Sequence, residues 1–320
     1  MQNVKVEQHS LKKRWGYGAA HRSLGSTVTV YGIAIYQQAD GDRYTLYLTD
    51  TDLIKKEPAG TYTNITNGGA GSYSVPTNER WTWAVVGDKF CFTNRNVNVQ
   101  YWAGSGTASD LDATYAVKAK YCIEYANRLF IADCYQSSVR APFTIAWSKE
   151  GDPTTFDPAE STAGSNDFLE TADFLTGMGK VGANLVVYNR DNLIFGSRTG
   201  VATAPVSFST QKRGIGCVAP YSIVEVLGTN VFLGRDDFYV IEGTEPISIG
   251  SDSMRYHFFD NVSETEIENT WGFVNNLENE TIWIATTTAG KKAFVWNYQT
   301  KEWYLYSFAG DITGAGRGAV

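Results

Sequence analysis

Short apolar, aromatic runs alternate with polar turns along most of the chain, and the paired runs recur at about the 40 to 50 residue spacing of propeller blades. The unit can be placed six times. Val28 to Ile35 and Tyr44 to Leu48 flank Ala39-Asp40-Gly41-Asp42, a hairpin-type turn sequence. Trp81 to Val86 and Phe90 to Thr93 flank Gly87-Asp88, with Val97 to Trp102 beyond. Ala119 to Tyr125 and Leu129 to Ala132 flank Asn127-Arg128, with Phe143 to Trp147 beyond. The fourth unit is Leu185 to Tyr188, Leu193 to Gly196 and Val206 to Ser209; the fifth is Ser222 to Leu227, Val231 to Leu233 and Phe238 to Ile241. Trp271 to Val274, Thr281 to Thr286, Ala293 to Tyr298 and Glu302 to Ser307 make the last a full meander. Leu129-Phe130-Ile131-Ala132 is apolar on both faces, as a strand stacked between blades must be, and no helical pattern alternates with the strands. The pattern predicts an all-β, six-bladed β-propeller with long inter-blade loops over residues 28–310. An extended N-terminal arm covers residues 1–27 and a flexible or interface tail residues 311–320.

One stretch predicts a helix. Ser263-Glu264-Thr265-Glu266 fits a capping box, in which Ser263 accepts from the Glu266 amide and Glu266 reaches back to the Ser263 amide. Glu57 to Asn78 and Glu150 to Gly179, rich in Gly, Ser, Thr, Asp and Pro, read as long loops, where contact surfaces concentrate. The 19 Tyr, 16 Phe, 9 Trp and 31 Gly favour strands and tight turns, and a 43% hydrophobic content excludes a disordered protein. A net charge of −7 argues against a surface built to neutralise phosphates. No apolar run reaches the roughly 18 residues of a membrane span. The opening MQNVKVEQHSLKKRW lacks the apolar core of a secretory signal, which predicts synthesis in the cytoplasm and no membrane partner.

Cys91, Cys122, Cys134 and Cys217 form no metal-type spacing with His9, His21 or His257, so they read as buried thiols and no metal or cofactor is expected. Asp50-Thr51-Asp52 and Asp236-Asp237 supply paired carboxylates. Such pairs suit glycoside hydrolysis or a hard cation, but Asp also caps turns through its own backbone bonds. Ser148 to Phe156 resembles the aspartate box of sialidase-like propellers, a turn stapled by Ser and Asp over a packed aromatic, in a single imperfect copy. No nucleophile elbow, phosphate loop or zinc-helix motif is present, and no enzymatic activity is expected. Basic residues cluster at Lys12-Lys13-Arg14, near Arg22, and at Lys212-Arg213.

Ala119 to Pro158 carries a hairpin with N-R-L-F, a loop, and a strand ending Trp147-Ser148 before an acidic Gly151-Asp152-Pro153 turn. LVVYNRDNLIFGSRTG, then VSFSTQKRGIGCVAPYSIVEVLGTNVFLGRDDFYVIEG, then HFFDNVSETEI follow in order. Over about residues 115 to 310 this order resembles the tail nozzle or tail hub family, the packaged-DNA stabilisation proteins of short-tailed bacteriophages. The resemblance implies a structural virion protein of the tail. It would be a homohexamer ring below the adaptor protein and portal, touching tail fibre or tailspike proteins. It would line the DNA exit channel with transient, non-specific contact to genomic DNA, and it brings no catalytic residues. Lys12, Lys13, Arg14, Lys212, Arg213, Asp236 and Asp237 are then the candidate lumen or ring-contact residues. The protein is shorter than members of that family and lacks the large extra domains of their tip platform. The alternative is a carbohydrate-binding or glycan-hydrolysing β-propeller, with Trp15, Tyr73, Trp81 and Trp102 stacking on sugars beside acidic residues. An intracellular scaffold propeller with a cellular partner is a third reading.

Overall fold

The computed structural model describes residues 4–7, 10–13, 28–57, 60–112, 114–115, 117–136, 139–159, 162–169, 173–307, 313 and 316–318. The protein divides into two compact units, Thr29–Gly216 with Gly314–Val320, and Met1–Val28 with Cys217–Thr313. Strands β1 (Val4–Glu7) and β2 (Ser10–Lys13) pair with each other in the second of these.

In the larger unit, β3 (Val30–Gln37), β4 (Arg43–Thr49), β5 (Leu53–Lys56) and β6 (Tyr62–Asn64) form an antiparallel meander. Next come β7 (Thr82–Val86), β8 (Lys89–Asn94), β9 (Val97–Trp102), β10 (Ser109–Asp110), β11 (Lys118–Tyr125), β12 (Arg128–Gln136), β13 (Val139–Trp147) and β14 (Gly164–Asp167). A further four-stranded meander is β15 (Leu175–Val181), β16 (Asn184–Asn189), β17 (Asn192–Val201) and β18 (Ala204–Arg213).

The smaller unit holds two four-stranded meanders. One is β19 (Val224–Val226), β20 (Thr229–Leu233), β21 (Phe238–Glu242) and β22 (Glu245–Ser248). Helices α1 (Asp252–Asn261) and α2 (Glu264–Ile267) lead to the other, β23 (Trp271–Asn275), β24 (Glu280–Thr287), β25 (Gly290–Asn297) and β26 (Trp303–Tyr306). Last in sequence, β27 (Gly316–Gly318) belongs to the larger unit, where it lies parallel to β3, opposite Ile33 to Ile35, and makes that sheet five-stranded.

The fold is an all-β propeller, but the expected six separate blades are corrected. Four sheets have blade size, three of four strands and one of five, while β7 to β14 run together as a single eight-stranded sheet. The cause is the brevity of β10. Its two residues cover only Tyr101 and Gln100 on the outer edge of β9, so Asn98 on that edge is left to pair with Lys118 of β11. Thr82 Oγ1 reinforces the join by donating to the Lys120 carbonyl at 3.3 Å, and Thr93 Oγ1 by donating to the Ala119 carbonyl at 2.7 Å.

Aromatic side chains fill the cores. In the larger unit Tyr36, Phe90, Phe92 and Trp102 are fully buried together, and Cys91, Leu129, Ile131 and Phe156 pack in a second cluster. In the smaller unit Phe238 meets Phe258, Trp283 and Trp303 at centroid distances of 5.1, 4.7 and 4.9 Å. Each such pair adds about 0.5–1.5 kcal/mol beyond its buried area.

Two local expectations differ. The helix at Ser263 is a single turn: Ser263 Oγ lies 3.1 Å from Thr265 Oγ1 and caps no amide, so the reciprocal box does not form. The longer helix α1 is started instead by Ser251, whose Oγ accepts from the Met254 amide at 3.3 Å. The two stretches read as long loops hold β6, β14 and the start of β15.

Candidate functional site

One end of the eight-stranded sheet carries a cluster of ion pairs. β7 and β11 begin there, β8 and β12 end there, and β9 and β13 leave from it, as the pairs Thr82↔Thr93, Asn94↔Val97, Ala119↔Cys134 and Tyr135↔Arg140 require. At its centre is Asp133. A bulge between Ala132 and Cys134 breaks the ladder of β12 against β13, and Asp133 sits there at φ +49°, a conformation that Asp tolerates better than most residues.

The Asp133 carboxylate is 1% exposed and takes two guanidinium groups. Arg140 approaches as a fork, Nε at 2.7 Å from Oδ1 and Nη2 at 2.9 Å from Oδ2, while Arg95 Nη2 lies 2.7 Å from Oδ2. Arg95 is carried on the β8–β9 turn, which Asn94 shapes by accepting from the Asn96 amide at 3.3 Å. The Arg95 Nε is buried and has no hydrogen-bond partner among the described residues. Hydrogen bonding to Asp133 raises the Arg140 pKa still further, so this cation is permanent.

Lys120, from β11, is the third cation. Its side chain is 12% exposed and its ammonium lies 3.5 Å from Glu79. Burial lowers its pKa, with Arg95 adding to the effect and Glu79 and Asp133 opposing it. Arg80, next to Glu79 in sequence, has its guanidinium carbon 4.8 Å from the Tyr31 ring centroid. Among the described residues, the cluster of Arg95, Lys120 and Arg140 with Glu79 and Asp133 sums to one positive charge, in a protein of net charge −7.

An exposed aromatic flanks it. Phe174, just before β15, is 47% exposed, and its ring centroid lies 5.1 Å from the Arg140 guanidinium carbon and 5.4 Å from the Phe143 ring. Arg140 is thus held between a carboxylate and an aromatic ring, with 31% of its side-chain surface exposed to solvent.

None of the described residues singled out from the sequence is among the ion pairs of this cluster. Lys12 and Lys13 lie on β2, opposite Lys5 and Val4. Arg14, Trp15, His9 and His21 fall outside the described residues. Lys212 and Arg213 end β18 opposite Leu193 and Asn192, in the larger unit, whereas Asp236 and Asp237 belong to the smaller one. Asp237 is buried: it accepts from the Phe238 amide at 2.7 Å and from Ser248 Oγ, with Arg255 3.6 Å away. Asp236 accepts from Tyr239 at 2.8 Å. Both serve the turn.

Asp52 does the same, taking Asn64 Nδ2 at 2.8 Å, the Gly71 amide at 2.7 Å and the Thr51 hydroxyl at 2.8 Å. Burial works to raise its pKa, and these bonds outweigh burial and lower it. The expected sugar platforms fail for a plain reason: Tyr73, Trp81 and Trp102 are core residues at 4, 4 and 0% exposure. Among the described residues, no three His, Cys, Asp or Glu side chains converge as metal ligands.

The turn resembling an aspartate box is a staple. Ser148 Oγ accepts from the Leu129 amide at 3.0 Å, Asp152 accepts from the Thr154 amide and from both threonine hydroxyls, and Phe156 is buried below. The sequence signal for the cluster is Asp133 itself, a carboxylate at the end of the apolar run Leu129 to Ala132. Its partners, 38 residues before and 7 after, follow no short motif.

No family model matches the protein, and no curated protein matches its sequence. Solved structures do match in fold. PorZ, a bacterial surface component of the type-IX secretion system of Porphyromonas gingivalis, superposes on 93% of this protein with a TM-score of 0.54 and 11% identity. The protein spans 35% of PorZ. A streptogramin B lyase covers 91% of this protein and 88% of its own length, at a TM-score of 0.52 and 10% identity. Virginiamycin B lyase from Staphylococcus aureus gives 91% and 89%, at 0.52 and 11%. At these identities the likeness is one of fold.

These likenesses correct the reading as a bacteriophage virion protein, a tail nozzle or hub acting in DNA ejection: the neighbours are a secretion component and two lyases, none of them viral. The expectation of a non-enzymatic, purely structural protein is corrected with it, since two lyases use the same fold. The motif that carries the resemblance has a physical origin. Asn127 adopts φ +58° in the hairpin turn, Arg128 is buried and donates to the carbonyls of Ser148, Thr162 and Ala202, and Ser148 and Asp152 staple the next turn. Such residues record hairpin geometry, which proteins of different function share.

Proposed function

We propose that the protein is a carbohydrate-binding propeller whose ligand is an anionic saccharide, held at the Asp133 end of the eight-stranded sheet. The excess positive charge of Arg95, Lys120 and Arg140 supplies the attraction for a sugar carboxylate or sulfate. The half-exposed Phe174 ring beside Arg140 supplies a face for the pyranose. Arginine suits this role because its planar fork matches a carboxylate and loses little freedom when already fixed. Here Asp133 fixes it: two of Arg140's N–H groups are committed to the carboxylate before any ligand arrives, while 31% of the side-chain surface faces solvent.

The observation that carries the reading is this Asp133–Arg140–Phe174 sandwich. Calorimetric titration with uronic-acid oligosaccharides, sulfated oligosaccharides and neutral oligomers of the same length tests it. The acidic ligands bind with an affinity that falls as salt rises, and Phe174→Ala weakens them without lowering thermal stability. Equal binding of neutral and acidic oligomers, or none of either, refutes the reading. Chromatography of the incubated oligomers shows whether binding is followed by cleavage.

A further inference from the structure

The loop after β6 contains Thr66-Asn67-Gly68-Gly69, closed by a hydrogen bond from the Gly69 amide to the Thr66 carbonyl at 3.2 Å. Gly68 has φ +81°, the value the third position of a type II turn requires. A Cβ there would also stand 3.0 Å from Ser72 Oγ. The turn therefore holds a residue without a side chain directly after Asn67. Asn67 is fixed for a different reason. Its Nδ2 donates to Asp110 Oδ1 at 2.9 Å, and its own amide donates to the Tyr73 hydroxyl at 3.2 Å.

Asp110 is the centre of a ring of amides. Gln100 Nε2 donates to the same Oδ1, and Asn98 Nδ2 donates to Oδ2 at 2.9 Å. Asn98 is also the β9 residue whose pairing with Lys118 joins the two halves of the eight-stranded sheet.

From the exposed, unbranched Gly68 that follows Asn67, and from the hydrogen bond that Asn67 makes to Asp110, we infer that Asn67 is a site of spontaneous deamidation and that its conversion unfastens the loop from Asp110. The Gly68 nitrogen, having lost its proton to solvent base, attacks Asn67 Cγ. A new bond from that nitrogen to Cγ closes a five-membered imide, the bond from Cγ to Nδ2 breaks, and ammonia leaves with the proton it takes from water. A second water then opens the imide to aspartate or isoaspartate, so the sum is amide plus water giving carboxylate plus ammonium, with no oxidant or reductant. An unbranched, exposed glycine gives the least hindered approach any residue allows. The product places a carboxylate where a donor had faced Asp110, beside the residue that joins β9 to β11.

Ageing the full-length protein at mildly alkaline pH, followed by peptide mass spectrometry, reads the conversion. The expected result is a gain of one mass unit concentrated in the peptide containing Asn67, with Asn67→Gln blocking it. Directly made Asn67→Asp melts several degrees below the parent at neutral pH. Adding Asp110→Asn restores the melting temperature, because the new carboxylate again faces a donor. Persistence of Asn67 after other asparagines have converted overturns the assignment of the site. An Asn67→Asp variant that matches the parent in stability, or one not rescued by Asp110→Asn, overturns the structural consequence.

Discussion

Asp133→Asn isolates the charge at the centre of the candidate site. Asn accepts left-handed backbone as readily as Asp does, so the bulge at φ +49° is preserved and the substitution reports on electrostatics alone. In the parent protein the carboxylate takes three charge-assisted bonds, two at 2.7 Å and one at 2.9 Å. Removing one partner of a fully buried ion pair costs about 3–5 kcal/mol. Here the guanidinium groups keep 27 and 31% of their side-chain surface in water, which lowers the penalty for stranding them. Asn retains one acceptor oxygen, but it turns an NH2 toward the second guanidinium. The expected loss is about 2–3 kcal/mol, in line with hydrogen bonds to charged groups. Urea titration followed by tryptophan fluorescence measures it as a lower midpoint at unchanged slope. A companion Arg140→Met, alone and combined with Asp133→Asn, gives the coupling energy of the pair. A loss below about 0.5 kcal/mol would place Asp133 among ordinary surface ion pairs and refute the reasoning.

Three further outcomes follow from other parts of the fold. Gly87→Ala should destabilise more than Gly182→Ala: both positions have positive φ, but only at Gly87 would the new Cβ stand 2.1 Å from a carbonyl, that of Gly151; comparing their midpoints isolates the steric part. Burial raises the Asp152 pKa, but hydrogen bonds from Thr154 and Thr155 outweigh this and lower it overall. Its folded pKa is thus depressed, so its stabilisation is full above the unfolded value, about 3.9, and fades as pH falls through the folded one. Asp152→Ala should therefore differ from the parent at pH 7 and converge with it in acid, as melting curves across pH will show. All four thiols are free and buried, and burial pushes Cys122, Cys134 and Cys217 up to about 12. A thiol reagent at about pH 8 should then leave the native protein unlabelled and modify all four after unfolding.

How far the sequence carries the fold depends on how local the determining contacts are. Val97 to Trp102 is a strand with the ends its pattern predicts, and the hairpin expected to turn at Asn127-Arg128 turns one residue earlier, at Ala126-Asn127, with Arg128 already paired to Tyr125. In both cases side-chain alternation and turn chemistry act within a few residues. The union of two expected blades into one sheet is not local. It rests on β10 being too short to cover β9, which leaves Asn98 open to a residue 20 positions further on, Lys118. Helix α1 was hidden because its aromatic residues, Tyr256, Phe258 and Phe259, match strand composition, while its start depends on a single serine cap. The candidate site was hidden for the opposite reason from its neighbours. Asp50, Asp52, Asp236 and Asp237 attract notice as adjacent carboxylates, yet Asp52 and Asp237 are saturated by the hydrogen bonds that hold their turns. Asp133 stands alone in sequence. Its charge takes effect only because β8, β12 and β13 meet at the same end of one sheet and bring two arginines to it. A buried carboxylate at a bulge here carries more cations than its charge requires, and both guanidinium side chains keep part of their surface in water. That arrangement is costly as scaffolding and serviceable as a receptor for a second anion, which is why the binding proposal rests on Asp133 rather than on the more conspicuous acidic pairs.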